Sequence, residues 1–259
     1  MTRYTVNASI LLTDLPLLDR PAAARAAGFD AVEFWWPWPA TALPSAGEVD
    51  EFVAAIDDAG VALTGLNFFA GDMPAGDRGI VNNPSRVDEF TANVDLVVDI
   101  AGRTGCRHFN ALYGLHDDGV DAEAEATTAR ANLAHAAAKV GELGGTVLLE
   151  PVSGAPAYPL KTAADALGVI EQVGAGNLRL LADFYHLAVN GDDVAHVIAE
   201  HAARFGHVQI ADAPGRGAPG SGDLPLLDWI AAAQEGGYDG PVGLEYLAGD
   251  TDPFAWVNS

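Results

Sequence analysis

The chain has 259 residues, 49% of them apolar and 19% charged, with 29 Gly, 15 Pro and a single cysteine, Cys106. That length supports one sizeable core, and one thiol excludes an internal disulfide framework. Thirteen basic residues against 36 acidic ones give a formal charge of −23, which repels a polyanion over most of the surface and argues against nucleic-acid binding.

No Cys/His spacing suits a structural zinc site. Residues 1–9 lack a charged leader followed by an apolar stretch, and no apolar run approaches the ~18 residues of a membrane helix. The expectation is a soluble, untargeted protein of the reducing cytoplasm. Its acidic excess is spread along the chain and reads as a solvated face.

Short β-branched or aromatic runs alternate with longer Ala-rich segments of helical period, the pattern of parallel βα units. In chain order, strands are expected near residues 4–8, 31–35, 61–68, 108–112, 146–150, 178–183, 207–211 and 242–246. Helices are expected near 17–27, 48–59, 86–101, 122–143, 163–173, 194–205 and 226–235. Gly28, Gly60 and Gly102 fall where the first three helices stop, and Ser85 and Thr162 are candidate N-caps. Eight such units in one chain predict a closed (β/α)₈ TIM barrel spanning 1–259 as a single domain, with an open doubly wound sheet as the lesser option. Two Gly/Pro-rich loops, 70–80 and 211–223, fall at the strands' C-terminal mouth, where such barrels carry their sites.

Four polar side chains end otherwise apolar strands: Glu150 in TVLLE, Asp183 in LRLLAD, Gln209 in HVQIA and Glu245 in VGLEY. Taken singly, each reads as readily as a capping or loop-anchoring group. In a closed barrel, however, strands five to eight are neighbours around one rim, and their inward ends converge. Three carboxylates there repel unless they take up protons or a positive charge sits among them. An all-oxygen set favours a hard divalent ion, Mg²⁺ or Mn²⁺, over zinc. A salt-bridge cluster through Arg179, on the same face as Asp183 by strand alternation, is the alternative.

The stretches Glu150-Pro-Val, Asp183-Phe-Tyr-His186, Gly206-His207-Val-Gln209-Ile-Ala-Asp212 with Arg216, and Gly243-Leu-Glu245-Tyr resemble the hydroxypyruvate isomerase branch of the xylose isomerase-like barrels. So do Asn7-Ala-Ser, Gly28-Phe-Asp-Ala-Val-Glu33-Phe and the 70–79 loop, so the resemblance covers nearly the whole chain. It implies a divalent metal held by Glu150, Asp183, Gln209 and Glu245, with Glu150 and Glu245 also exchanging a proton. The implied reaction moves a carbonyl between adjacent carbons of hydroxypyruvate through an enediolate, giving tartronate semialdehyde. The implied partner is a small hydroxy-keto acid or ketose, with neither nucleic acid nor a membrane; self-association is left open.

Further candidates surround this set. His186, three residues past Asp183, is placed to donate to a substrate oxygen or to bond loop backbone. His207 shares a face with Gln209 one layer deeper, as an orienting or a core residue. Arg216 is placed to fork to a substrate carboxylate or to face solvent. Asn67 and Asn110 end other strands as lesser substrate contacts, and Glu33 ends strand two beside the same mouth. Trp35, Trp36 and Trp38 either wall the site from water or pack as an ordinary cluster.

Two departures from the resembled pattern touch the substrate end: a shortened loop at Ser153 to Pro156 where an Asn-His pair is expected, and Leu247 where Lys is expected. A ketose 3-epimerase or related keto-acid isomerase is therefore the alternative. An abasic-site endonuclease-like phosphodiesterase and a non-catalytic binding barrel are more remote. Gly215-Arg-Gly217-Ala-Pro-Gly220 matches a dinucleotide fingerprint, but Pro219 and Gly222 oppose the helix it needs. Cys106 reads as a core thiol.

Overall fold

The computed structural model describes residues 2–249 and 252–258. Eight parallel strands pair in chain order and close on themselves: β1 (Tyr4–Asn7), β2 (Ala31–Phe34), β3 (Ala62–Asn67), β4 (His108–Asn110), β5 (Thr146–Leu149), β6 (Leu178–Asp183), β7 (Phe205–Ile210) and β8 (Val242–Leu244). Closure runs through the register Tyr4↔Val242 and Val6↔Leu244, which brings residues at opposite ends of the sequence to one rim. Around the strands lie α1 (Ala8–Leu11), α2 (Arg20–Ala26), α3 (Ala46–Ala59), α4 (Val87–Thr104), α5 (Ala122–Gly141), α6 (Ala163–Val173), α7 (Phe184–Asn190), α8 (Val194–His201) and α9 (Leu226–Glu235). Every strand and helix expected from the sequence is present, and the TIM barrel holds. No helix among the described residues is long and apolar enough to cross a membrane.

Local chemistry explains most boundaries. Ser45 and Glu48 form a reciprocal capping box at the start of α3, as Thr162 and Asp165 do for α6, satisfying backbone donors that the first turn leaves free. Two expectations are corrected for α4. It runs through Gly102 and stops at Gly105, in the left-handed conformation at φ 78°. Ser85 does not cap it, because the turn Pro84–Arg86 precedes α4 and takes its own cap from Asn83. The short helices α1 and α7 were not expected. Both follow a strand at once and are capped by its last side chain, Asn7 or Asp183.

Helices bury Phe52, Phe90, Val94, Leu133 and Ile198 against the outer faces of the strands, and Cys106 lies in this layer, fully buried. The barrel interior is different. At its upper level it holds the polar side chains Asn7, Glu33, His207 and Gln209, each at most 4% exposed. Room for them comes from glycine: a β-carbon on Gly243 would sit 2.7 Å from Glu33 Oε1 and 2.8 Å from Gln209 Cγ. Buried Asn93 of α4 ties two rim loops together, accepting from Phe69 N at 2.9 Å and donating to Ala42 O at 2.9 Å. The loops after β2 and β3 are thereby fixed to the scaffold that carries the site.

Candidate active site

The C-terminal mouth of the barrel opens into a cavity of about 650 Å³, lined by residues from the ends of β1, β2, β3, β5, β7 and β8 and by His186 of α7. Glu150 and Glu245 both reach it while remaining only 5% and 4% exposed. Asp183 is fully buried beside them. Glu150, Asp183 and His186 present atoms that all lie within 4.8 Å of one another. Of the strand-end acids singled out in the sequence, Glu150 and Asp183 thus meet, together with His186, while Glu245 opens on the same cavity outside that cluster.

Each acid is held by a separate set of donors. Asn110 donates to Glu150 Oε2 at 2.7 Å. Glu245 Oε2 accepts from Asn7 at 2.9 Å and from Gln209 at 2.5 Å. The same two amides also donate to Glu33 Oε1, at 3.2 and 2.7 Å, while His207 Nε2 lies 2.7 Å from Glu33 Oε2. With its NH₂ group committed to two carboxylates, Gln209 is left with a buried carbonyl oxygen that has no partner. Asp183 spends Oδ1 on the amides of Tyr185 and His186, capping α7, and its buried Oδ2 has no hydrogen-bond donor. Asp183 is therefore both a helix cap and a free acceptor. Asn110 Oδ1, beside Glu150, is likewise without a partner; orphaned buried oxygens are uncommon in folded proteins, and three beside these acids suit a cation.

Arg216 supplies positive charge from the loop after β7. Its Nη2 lies 2.5 Å from Glu245 Oε1 and 3.9 Å from Asp183 Oδ2, so the guanidinium is engaged with the acids rather than facing solvent. Arg179 takes no part: it is exposed near the opposite end of the barrel, 3.5 Å from the carbonyl of Phe205. Arg216 sits at φ 57°, a left-handed backbone that costs a non-glycine residue of order 1 kcal/mol and is kept only where surroundings over-determine it. Asp212 does so. Fully buried, it accepts from the amides of Ala213, Gly220 and Leu224 and bridges Gly217 through its backbone. The Gly-x-Gly-x-x-Gly stretch is this anchored loop, and no helix begins before Leu226.

Burial raises the Glu150 carboxyl to about 8, with the neighbouring Asp183 charge adding to the effect. Burial also pushes Glu245 up, against the pull of Arg216. His186 is lowered to about 4 by burial, so its ring is neutral near pH 7. Ser153 N–H donates to His186 Nδ1 at 3.1 Å, which places the ring proton on Nε2, 3.8 Å from Glu150 Oε1 and 3.7 Å from Asp183 Oδ2. The shortened loop thus still supplies an orienting residue for the histidine.

Asn67 lines the cavity. His207 does not; it lies below, paired with Glu33 and 3.5 Å from the Tyr238 hydroxyl. Trp35 and Trp36 form part of the cavity wall, whereas Trp38 packs on Trp36 and Phe52. No local pattern marks Asn7 as the link between Glu33 and Glu245, since its contact with Glu245 spans 238 positions. Ser153, Arg20 and Arg78 also line the cavity; the first and last lie in loops the sequence marks, but no pattern assigns any of the three to the site.

Comparison with known proteins agrees with the barrel fold. The family described as "Xylose isomerase-like TIM barrel" matches residues 21–258. A Streptomyces coelicolor protein carrying a provisional hydroxypyruvate isomerase name is 49% identical, over 98% of this chain and 95% of its own. A 2-oxo-tetronate isomerase of Cupriavidus necator is 34% identical over 99% and 98%. A crystal structure from Brucella melitensis, described as AP endonuclease, family 2, superposes with a TM-score of 0.89 at 30% identity, covering 100% of this chain and 98% of the other.

Proposed function

Because this chain belongs to the xylose isomerase-like TIM barrel family and, within it, to the hydroxypyruvate isomerase group, we propose that it isomerises a short 2-oxo acid with a hydroxyl on the next carbon. Hydroxypyruvate to tartronate semialdehyde is the parent reaction. The observation that carries this reading is the pair Glu150 and Glu245: two buried carboxyl groups, separately supported, opening on one cavity. Moving a carbonyl to its neighbour requires a proton to leave one carbon and another to reach the next, with an enediolate between. Two carboxyl groups on one bound substrate suit those two transfers.

One of the two, ionised, removes the C3 proton and the other, protonated, delivers a proton to C2, each in the opposite sense for the reverse reaction. Asn110 holds Glu150 in place, and Asn7, Gln209 and Arg216 hold Glu245. His186 presents its Nε2–H to a substrate oxygen, and Asn67 offers a second polar contact. His207 fixes Glu33, and through it the amides of Asn7 and Gln209.

The orphaned oxygens of Asp183 and Gln209, together with the carboxylates of Glu150 and Glu245, fit a divalent cation, Mg²⁺ or Mn²⁺ by the hardness of an all-oxygen set. When bound, such an ion would supply charge that favours the ionised form of the glutamate acting as base and would polarise the substrate oxygens.

A second reading, a four-carbon 2-oxo acid, is favoured by cavity size. About 650 Å³ is the size class of pockets for ligands far larger than a three-carbon acid, and 2-oxo-tetronate isomerase is among the relatives. The test is incubation of the Mn²⁺-loaded protein with hydroxypyruvate and with a 2-oxo-tetronate in D₂O, followed by NMR. Deuterium is expected at the carbon that receives the proton, together with formation of the isomer. No isomer from either acid would contradict the reading.

A further inference from the structure

The cavity has two chemically opposite sides. The rim of β5 to β8 carries Glu150, Asp183 and Glu245, and its one cation, Arg216, is engaged with Glu245. Across the mouth, Arg20 at the start of α2 and Arg78 in the loop after β3 reach the cavity wall. Among the described residues neither makes an ion pair. Arg20 donates to the carbonyls of Ala8 and Leu15, and Arg78 to those of Met73 and Asp77.

The carboxylates beside Arg78 are spent elsewhere. Asp77 accepts from Arg86 and from Asp72 N, and Asp72 accepts from Ala75 N. In a chain with 36 acidic residues and 13 basic ones, two half-buried arginines thus line one cavity with no ion-pair partner among the described residues. Their backbone contacts fix the guanidinium groups and leave their charge unmatched.

We propose that Arg20 and Arg78 bind the carboxylate of the substrate, orienting the hydroxy-keto end toward Glu150 and Glu245. This assignment rests on the 2-oxo acid reading above and gives it a polarity: acid group on the β1–β3 side, reacting carbons on the β5–β8 side. Arg216 then acts on Glu245 rather than on the substrate's acid group. Planar guanidinium forks match a carboxylate. The side of the mouth also favours a carboxylate over a phosphate ester, because barrels of this architecture bind phosphate in the loops after strands seven and eight.

Glycerate tests the subsite without turnover, since it has no carbonyl to enolise; glycerol and glycerol 3-phosphate are the neutral and phosphorylated controls. Calorimetry, with Trp35 and Trp36 fluorescence as a second signal, is expected to show wild-type protein binding glycerate in preference to both. Arg78→Gln is expected to weaken glycerate by about tenfold or more, and Arg78→Lys, which keeps the charge without the fork, by less. With hydroxypyruvate, Arg78→Gln is expected to raise KM by about tenfold and leave kcat within about threefold. Thermal melting separates a folding defect, and if Arg78→Gln fails to fold, Arg78→Lys and Arg20→Gln carry the test.

Unchanged glycerate affinity in these variants, tighter binding of the phosphate ester, or a fall in kcat at constant KM would overturn the proposal. Glycerate binding that depends on Arg78 in a protein that isomerises no 2-oxo acid would leave the subsite standing and remove the reaction. Turnover of hydroxypyruvate that ignores Arg78 would do the reverse.

Discussion

Glu150→Gln is expected to lower kcat for hydroxypyruvate by about 10²- to 10⁴-fold, the range that proton transfer by a positioned side chain contributes, with KM changed far less. The substitution is nearly isosteric, and one side of the group is already defined: Asn110 donates to Oε2 at 2.7 Å, and a glutamine can present its carbonyl there. The fold should therefore survive, because burial of a neutral amide costs less than burial of the carboxylate it replaces. Circular dichroism and melting temperature near wild-type values, alongside the lost turnover, would place the effect in chemistry. A variant retaining more than about a tenth of wild-type kcat would remove Glu150 from the proton-transfer role.

The second large effect concerns stability, pH and metal. In the folded protein the Glu150 carboxyl is raised from 4.5 to about 8, and Glu245 is raised as well, burial being the main cause for both. A group that holds its proton more tightly when folded stabilises the fold below its unfolded value, and that contribution is lost as pH climbs through the folded value. His186, lowered to about 4, has the opposite sign, but its contribution is constant above about 6.5, its ordinary value. Between pH 6.5 and 9 the chelator-treated protein should therefore lose stability as the buried glutamates are forced to ionise together.

Mn²⁺ or Mg²⁺ at about 100 times its Kd should add about 2.7 kcal/mol, or about 5–10 °C in melting temperature for a chain of this size, and should flatten the pH dependence. Asp183→Asn should lose most of this gain, because Asp183 Oδ2 is a buried acceptor with no donor of its own. Melting curves with and without chelator across that pH range make the comparison. An identical loss of stability in both conditions would contradict it.

Much of this architecture was legible in the sequence because the signals are local. Eight apolar runs such as TVLL and LRLLAD alternate with capped helices, and polar residues at the ends of four consecutive strands stand out against their neighbours. Helix ends were less secure. Gly102 looked like a stop, yet α4 continues to Gly105, since a single glycine costs a long, well-packed helix only about 1 kcal/mol. Helix α7 escaped notice because it is seven residues long and starts directly at the strand's last side chain.

Within the site, what could not be read is what barrel closure creates. Asn7 meets Glu33 and Glu245 only because β1 pairs with β8 and with β2. No spacing along the chain announces that. Arg216 was visible as the basic residue of its loop, but its direction depends on the turn that Asp212 enforces. Arg20 and Arg78 lie 58 positions apart in unrelated segments, and only the cavity relates them. Trp35, Trp36 and Trp38 were readable as wall or core, and the structure divides them between the two.

Anomalous diffraction from crystals grown with Mn²⁺ addresses the shared cation most directly. One peak is predicted at the mouth, with oxygens of Glu150, Asp183, Gln209 and Glu245 at about 2.0–2.3 Å, the spacing that hard divalent ions take from oxygen ligands, and with Arg216 moved off Asp183. No peak at full Mn²⁺ loading, or a peak held by other side chains while these four keep their present contacts, would contradict it.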